Sequence, residues 1–445
     1  MEHQLNPGLR TKVLQGLGIW LILHGILISF SSAQSAPNSL TWQAAVTEAS
    51  RNNAELKAAQ ENVKSAQANV QVARAGYLPR ISASFSAGLE GREITSRTFE
   101  PTTYQDLQAR ATDSYGASIE ASETIFDGFA TQSRVGQAES RVRESEHQIQ
   151  ILKARLSYDL KTAWSGMMQA QRSLRLYQDI IKRREENLRL VELRFAAGQE
   201  NKGSVRLSEA YLKQARFEEM QARDNLNVAR SRLNKVLGRA DDSSYELRGD
   251  VPLSAIPGRV DFTALARNTP EFKLSQAQEQ TATADLSLAR AGFYPELGLR
   301  GSIGRTDDHF FPENEAWSLS VVLTVPLFSG GSDYYTRQAA INRLTAAGLT
   351  RENAERDIVA RLRQAHVTLL ESSERLKVDE SFEDAVTLRA EIARSKYNNG
   401  LTTFDDWDLI ESDLINRQRA VLSSQGNRVT AEAAWEQAQG RGALQ

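Results

Sequence analysis

From Ala130 to Phe195 apolar residues recur three and four positions apart, with no proline and only Gly136 and Gly166 as glycines, which predicts one unbroken helix. Its seam reads Val135, Ala138, Val142, Ile149, Leu152 and Leu156, with Ser145 in one slot. It restarts at Leu160 and runs through Ala163, Met167, Ala170, Leu174, Tyr177, Ile181, Leu188, Val191 and Phe195. The extra step of four at Leu156 to Leu160 is a stutter, which relaxes a left-handed supercoil and lets neighbouring helices run nearly straight. About 66 residues at 1.5 Å each make a rod on the order of 100 Å. No globular core buries such a rod, so it needs equally long neighbours from this chain or from other copies. An Ala-rich helical stretch, Leu40 to Ala75, broken at Arg51-Asn52-Asn53, precedes it, and a helix over 205–237 follows Ala197-Gly198. Their lengths sum to that of the long helix, so stacked end to end they would pair with it.

Between the first helices and the long one the period changes to two. Ile81, Ala83, Phe85, Ala87 and Leu89 alternate with Ser82, Ser84, Ser86, Gly88 and Glu90, and Ser114 to Phe126 repeats the alternation. Gly91 to Asp113 reads as a long exposed loop, and Asp127 as the N-cap of the long helix. The whole arrangement then recurs. Ala73-Arg74-Ala75-Gly76-Tyr77-Leu78-Pro79 returns as Ala289-Arg290-Ala291-Gly292-Phe293-Tyr294-Pro295, and Arg51-Asn52 as Arg267-Asn268. Ile125-Phe126-Asp127-Gly128 returns as Leu327-Phe328-Ser329-Gly330, and Phe195-Ala196-Ala197-Gly198 as Tyr397-Asn398-Asn399-Gly400. The second hairpin, with alternating strands from Leu297 to Ile303 and Trp317 to Val325, has the shorter loop, Arg305 to Glu315; Val322 breaks its alternation. The chain thus divides into a first repeat, 34–237 (hairpin 80–126, long helix 130–196, helix 205–237), a connector, 238–258, and a second repeat, 259–445 (hairpin 296–327, long helix 332–397, helix 405–438).

Residues 1–33 read as a secretory signal: Arg10 and Lys12 precede an apolar run from Val13 to Phe30, and Ser31-Ser32-Ala33 supplies small residues for cleavage. With 54 Lys plus Arg against 56 Asp plus Glu, the chain offers no electrostatic footprint for nucleic acid. It has no cysteine, which excludes disulfides, thiolate metal sites and lipid on an N-terminal cysteine.

Four strands per chain cannot close a membrane barrel, which needs about eight or more, whereas strands pooled from several chains can. Open edges are not tolerated in lipid, so membrane strands here would have to be pooled. Tyr77, Phe126, Phe293, Tyr294 and Phe328 all fall at helix-to-strand junctions, where a membrane-interface belt would place them. The two-repeat layout, the Ala-Arg-Ala-Gly-aromatic-x-Pro segments, Ile125-Phe126-Asp127-Gly128-Phe129-Ala130-Thr131 and Tyr397-Asn398-Asn399-Gly400 together resemble the TolC family of outer-membrane channel-tunnels. Phe126-Asp127-Gly128-Phe129 followed by Ala130-Thr131 is more similar to the members serving type I secretion than to the drug-efflux lipoproteins.

The resemblance implies a mixed α and β homotrimer located in the outer membrane with a periplasmic extension. Three copies of the four strands would form a 12-stranded β-barrel, continued by a periplasmic α-helical barrel of coiled coils, with the connector at its equator. It implies an export duct working with a periplasmic membrane-fusion adaptor and an inner-membrane ABC or other export transporter, and contacting outer-membrane lipid. The tip turns, with Phe195, Gly198, Gly203, Tyr397, Gly400 and Phe404, become the expected adaptor-docking surface. Asp406, six residues after Gly400, becomes the expected periplasmic gate, with Asp408 the next candidate because the family's second gate aspartate is Leu409 here. The family's locking arginine is Thr402 and its acidic partner Ser204, so the closed tip would be held differently.

No catalytic constellation, cofactor or metal site is expected. His147, His309 and His366 are far apart and lack HExxH-type spacing. Runs such as Lys182-Arg183-Arg184-Glu185-Glu186 read as solvated helix faces with i,i+4 pairs. A drug-efflux component is the alternative to a protein-secretion duct. A periplasmic coiled-coil scaffold accounts only for the rods, and a conventional porin only for the strands.

Overall fold

The computed structural model describes residues 39–92, 110–241, 243 and 245–444, so the signal segment and the middle of the first hairpin loop lie outside the described residues. The elements run β1 (Ser39–Thr41), α1 (Trp42–Asn52), α2 (Ala54–Arg74), β2 (Arg80–Arg92), β3 (Arg110–Phe126), α3 (Ala130–Ala196) and α4 (Lys202–Leu237). After β4 (Glu246–Arg248) come α5 (Phe262–Asn268), α6 (Pro270–Ala291), β5 (Glu296–Asp307), β6 (Asn314–Thr324), α7 (Ser332–Asn398) and α8 (Phe404–Ala438). Both long helices have 67 residues, so the two repeats are built to one length. Among the described residues no helix is long and apolar enough to cross a membrane.

α3 organises the chain. Its half nearest the strands lies against α2, through Arg74–Glu139 at 3.0 Å and the Arg155–Glu55 pair, and against α6, through Arg143–Gln280 at 3.1 Å. Its far half lies against α4, through Arg216–Glu185 at 3.0 Å, and against α8, through Arg172–Gln425 at 3.0 Å. The expected seam is therefore too narrow. Leu156, Leu160, Met167 and Val191 are buried as the seam requires, but so are Trp164 and Ile180, which lie off it, while Phe195 is exposed. A helix with a neighbour on several sides buries several stripes rather than one.

The end-to-end stacking is a specific joint. Asn53 caps α2 by accepting from Leu56 N at 3.1 Å, and its amide donates to Val236 O at the end of α4, also at 3.1 Å. Gly238 closes α4 at φ +73, and a side chain there would meet Asn52 O at 2.7 Å. Only glycine combines that conformation with that approach. Below the joint Leu40, Ala45, Leu160, Trp164, Leu233, Leu237 and Leu444 form the largest apolar core, and β1 pairs in parallel with β4 beside it. The connector thus contains a strand and is not wholly irregular.

The four hairpin strands form one antiparallel sheet, β2-β3-β5-β6, in which β2 and β6 have no outer neighbour among the described residues. One face carries Ile81, Phe85, Ile119, Ile303, Trp317, Leu319, Val321 and Leu323, all exposed. The other carries Ser84 and Ser118, hydroxyls 2.8 Å apart, and Ser302 and Ser318 at the same distance. The strands run further than their alternation suggests. β2 and β3 pair out to Arg92 and Arg110, inside the stretch read as loop, and β5 reaches Asp307. Backbone pairing continues past the last apolar residue because each hydrogen bond is satisfied across the hairpin whatever the side chain. Conversely β6 stops at Thr324, one residue short of Val325.

Candidate functional site

The end of the molecule farthest from the sheet consists of two matched helical turns. α3 and α7 both end in glycines with left-handed backbone, Gly198 at φ +72 and Gly400 at φ +71. The following amides turn back, Gln199 N to Arg194 O at 2.8 Å and Leu401 N to Lys396 O at 2.9 Å, and so satisfy the last carbonyls of each helix. Asn201 then caps α4 by accepting from Ser204 N at 3.0 Å. α4 consequently begins at Lys202, earlier than the expected 205, and Gly203 lies inside its first turn and not in a loop. Thr403 caps α8 in the same way, accepting from Asp406 N at 3.2 Å and donating to Asp406 Oδ2 at 2.7 Å, so α8 begins at Phe404. Asp406 is exposed, at a helix start whose dipole favours its charge.

The two turns are fastened to each other. Tyr397 is fully buried, its ring stacked on Trp407 with centroids 4.4 Å apart and packed with Phe404, Val191 and Ala393. Its hydroxyl donates to Glu200 Oε2 at 2.9 Å, and Ser204 Oγ donates to Glu200 Oε1 at 3.0 Å. Arg194 Nη1 donates to Tyr397 O at 2.8 Å while its guanidinium covers the Tyr397 ring at 4.7 Å. Further from the tip, Arg184 Nη1 meets Asp408 Oδ1 at 2.9 Å and Arg184 Nη2 donates to Ser412 at 3.2 Å. Arg183 reaches Glu411 at 3.5 Å, and Arg394 reaches Glu186 at 2.6 Å.

Burial works to raise the pKa of Glu200, but hydrogen bonds from Asn201 N–H and from the Tyr397 and Ser204 hydroxyls outweigh it, and the carboxyl sits below its usual range. Burial, with the Glu200 carboxylate beside it, pushes the Tyr397 phenol up, so this hydroxyl remains a donor at all ordinary pH.

This geometry corrects two expectations and fills in a third. Tyr397 and Phe404 are buried in the tip core, so neither presents a docking contact. Asp408 is held by Arg184, with only 13% of its side chain exposed, and does not look into an open aperture. The fastening that Thr402 and Ser204 cannot make as an ion pair is supplied by Glu200, Arg194 and Arg184. Sequence reasoning missed these three. An acidic residue two after Gly198, in the turn matched to the one after Tyr397, was the available signal for Glu200. Leu193, Phe195, Leu207, Leu401 and Leu409 are exposed apolar side chains of the tip.

At the other end the junction aromatics divide. A bulge between Thr124 and Phe126 re-aims Phe126, which meets Phe129 edge-on at 5.4 Å, and Phe129 meets Tyr294 at 6.1 Å. Tyr77, Phe293 and Phe328 are exposed and have no such partner among the described residues. Asp127 does not occupy the N-cap position of α3, which is Phe129, yet its carboxylate accepts from Thr131 N at 2.7 Å and Thr131 Oγ1 at 2.6 Å, so it caps the helix from two residues further out. His366 is a core residue, its Nε2 3.0 Å from Pro257 O, and His309 lies beside Asp307 and Asp308 on the β5–β6 loop.

Comparisons with known proteins agree with this architecture. The chain is 24% identical over 369 residues to the proteases secretion protein PrtF of Dickeya chrysanthemi, covering 77% of this chain and 75% of the relative. It is 23% identical over 385 residues to the alkaline protease secretion protein AprF of Pseudomonas aeruginosa, covering 84% of this chain and 77% of that one. The crystal structure of the outer membrane protein VceC from Vibrio cholerae superposes with a TM-score of 0.78 at 20% identity, covering 90% of this chain and 96% of that one. The outer membrane efflux protein model matches residues 45–239 and 263–441, one stretch per repeat, and the chain belongs to that family.

Proposed function

We propose that this member of the outer-membrane efflux and secretion channels is a protein-secretion duct, receiving cargo from an inner-membrane transporter through a periplasmic adaptor. The observation that carries the duct reading is the sheet. It has an apolar face, a serine-lined face and two edges unpaired among the described residues, and only pooling with other copies removes those edges in lipid. Three copies close it. The similarity to two protease-secretion proteins supports protein cargo over small molecules. In detergent, native mass measurement should return a trimer that conducts ions in a planar bilayer. A stable monomer, or a trimer without conductance, would refute the duct.

The tip is its periplasmic end in this reading, with the exposed Leu401 and Phe195 as adaptor contacts and Asp406 as the constriction. On a three-fold axis three such carboxylates share one aqueous aperture and favour bound cations. Asp406→Asn should therefore weaken block by multivalent cations added from the periplasmic side, without altering trimer mass. Unchanged block moves the constriction away from Asp406.

A further inference from the structure

The serine-lined face of the sheet holds an arginine row that the duct reading alone does not require. The register places Arg80, Ser122, Arg300 and Ser320 opposite one another on consecutive strands, so all four project from the same face. That face is the one carrying Ser84, Ser118, Ser302 and Ser318, opposite the face of Ile81, Phe85, Trp317 and Leu319, and it is therefore the lumen side of a closed barrel. Arg80 and Arg300 stand two strand spacings apart, roughly 10 Å.

Neither guanidinium has an ion-pair partner among the described residues. The nearby arginines do: Arg134 leans on Asp127 at 3.8 Å and Arg305 pairs with Glu315. The facing carboxylates are few. Glu120 stands in the next row, between Ser82 and Ser302, and Glu296 lies two rows toward the helices, opposite Thr324. The arginine row itself carries two positive charges per chain and no negative one. Arg80 also borders a cleft of about 520 Å³ at the base of the sheet, with Ser122, Thr124, Arg134 and the carboxylates of Asp127 and Glu296.

An unpaired arginine contributes little to strand stability. Its fixed fork of donors does match the paired oxygens of a carboxylate or phosphate. We propose that Arg80 and Arg300, repeated around the closed barrel, form an anion-binding girdle at the base of the lumen that engages oxyanion groups on passing cargo. The proposal rests on the duct reading and adds to it a preference for cargo rich in carboxylate or phosphate. Three chains bring the girdle to six arginines. A multivalent anion spans neighbouring members and a monovalent one does not, so the girdle discriminates by multivalency.

The test is single-channel recording on the intact trimer, with sodium tripolyphosphate or hexaglutamate added on the extracellular side and that side held negative. Both should block the native channel, and R80Q/R300Q should raise the half-blocking concentration at least tenfold. R80K/R300K, which keeps the charge, should stay within about threefold of native for tripolyphosphate, showing that the glutamine effect is not a folding defect. E120Q, which removes the neighbouring carboxylate, should strengthen block. Block by tripolyphosphate alone assigns the girdle to phosphate, and block by both assigns it to oxyanions in general. Equal block in native and R80Q/R300Q channels, or equal block by hexalysine, overturns the girdle while leaving the duct intact. Absence of conductance in every form overturns both.

Discussion

Glu432→Ala should cost about 3–5 kcal/mol of stability, the usual consequence of removing one partner from a buried ion pair. Glu432 on α8 is almost completely buried, and its two oxygens serve three donors: Lys161 Nζ of α3 at 3.1 Å, Arg428 Nη1 at 2.7 Å and Ser254 N of the connector at 2.8 Å. Lys161 keeps a second carboxylate, Glu436 at 2.9 Å, but Arg428, with 7% of its side chain exposed, is left without a counter-charge and Ser254 N without an acceptor. Both repeats and the connector between them converge on this one side chain, so its loss should loosen the midsection. Urea unfolding followed by helical circular dichroism should show the effect. Glu61→Ala, which breaks the open Lys64–Glu61 pair, should move stability by under ~0.5 kcal/mol. Comparable losses in the two variants would mean that the Glu432 cluster is no keystone.

Arg184→Ala should raise the conductance of the channel several-fold while leaving it a trimer. It removes the bonds from α3 to Asp408 and Ser412 that hold the second tip turn against the first. Tyr397→Phe deletes only the hydroxyl bond to Glu200 and should have a smaller effect in the same direction. Because both act on one fastening, the double variant should deviate from additivity. Acid should do part of the same work. The Glu200 carboxyl is lowered from its ordinary 4.5, so its contribution is complete above that pH and is lost as pH falls through the lowered value. Conductance should therefore climb on acidification below about 4.5, and Glu200→Gln should remove the part of that climb that Glu200 supplies. A pH response identical in native and Glu200→Gln channels would detach the fastening from gating.

The rods, the strand faces and the repeat could be read from the chain because each leaves a periodic mark: three and four for α3, two for β2 and β3, constant offsets for the repeat. What could not be read are pairings between residues distant in sequence. Nothing local to Arg184 distinguishes it from Arg183, yet one is buried against Asp408 and the other lies at the edge of Glu411. Lys161 belongs to no charge run, with Asp159 the one other charged residue within five positions, and its sequence neighbours give no sign of its partners. The tip aromatics misled for the opposite reason. Tyr397 and Phe404 flank an exposed turn in sequence, and only the packing of Trp407 against them turns them inward. Helix starts at Lys202 and Phe404 depended on Asn201 and Thr403 acting as caps, a choice that the apolar period does not encode.

The bonds of Tyr397, Arg194 and Arg184 that join the two tip turns run from one repeat of the chain to the other. Each chain accordingly carries a latch of its own. A ring built from three such chains holds three latches, one in each petal. Released one at a time, they would leave one, two or three petals drawn back, so the aperture would take intermediate widths and a slender strand of cargo would be admitted before the whole ring had moved.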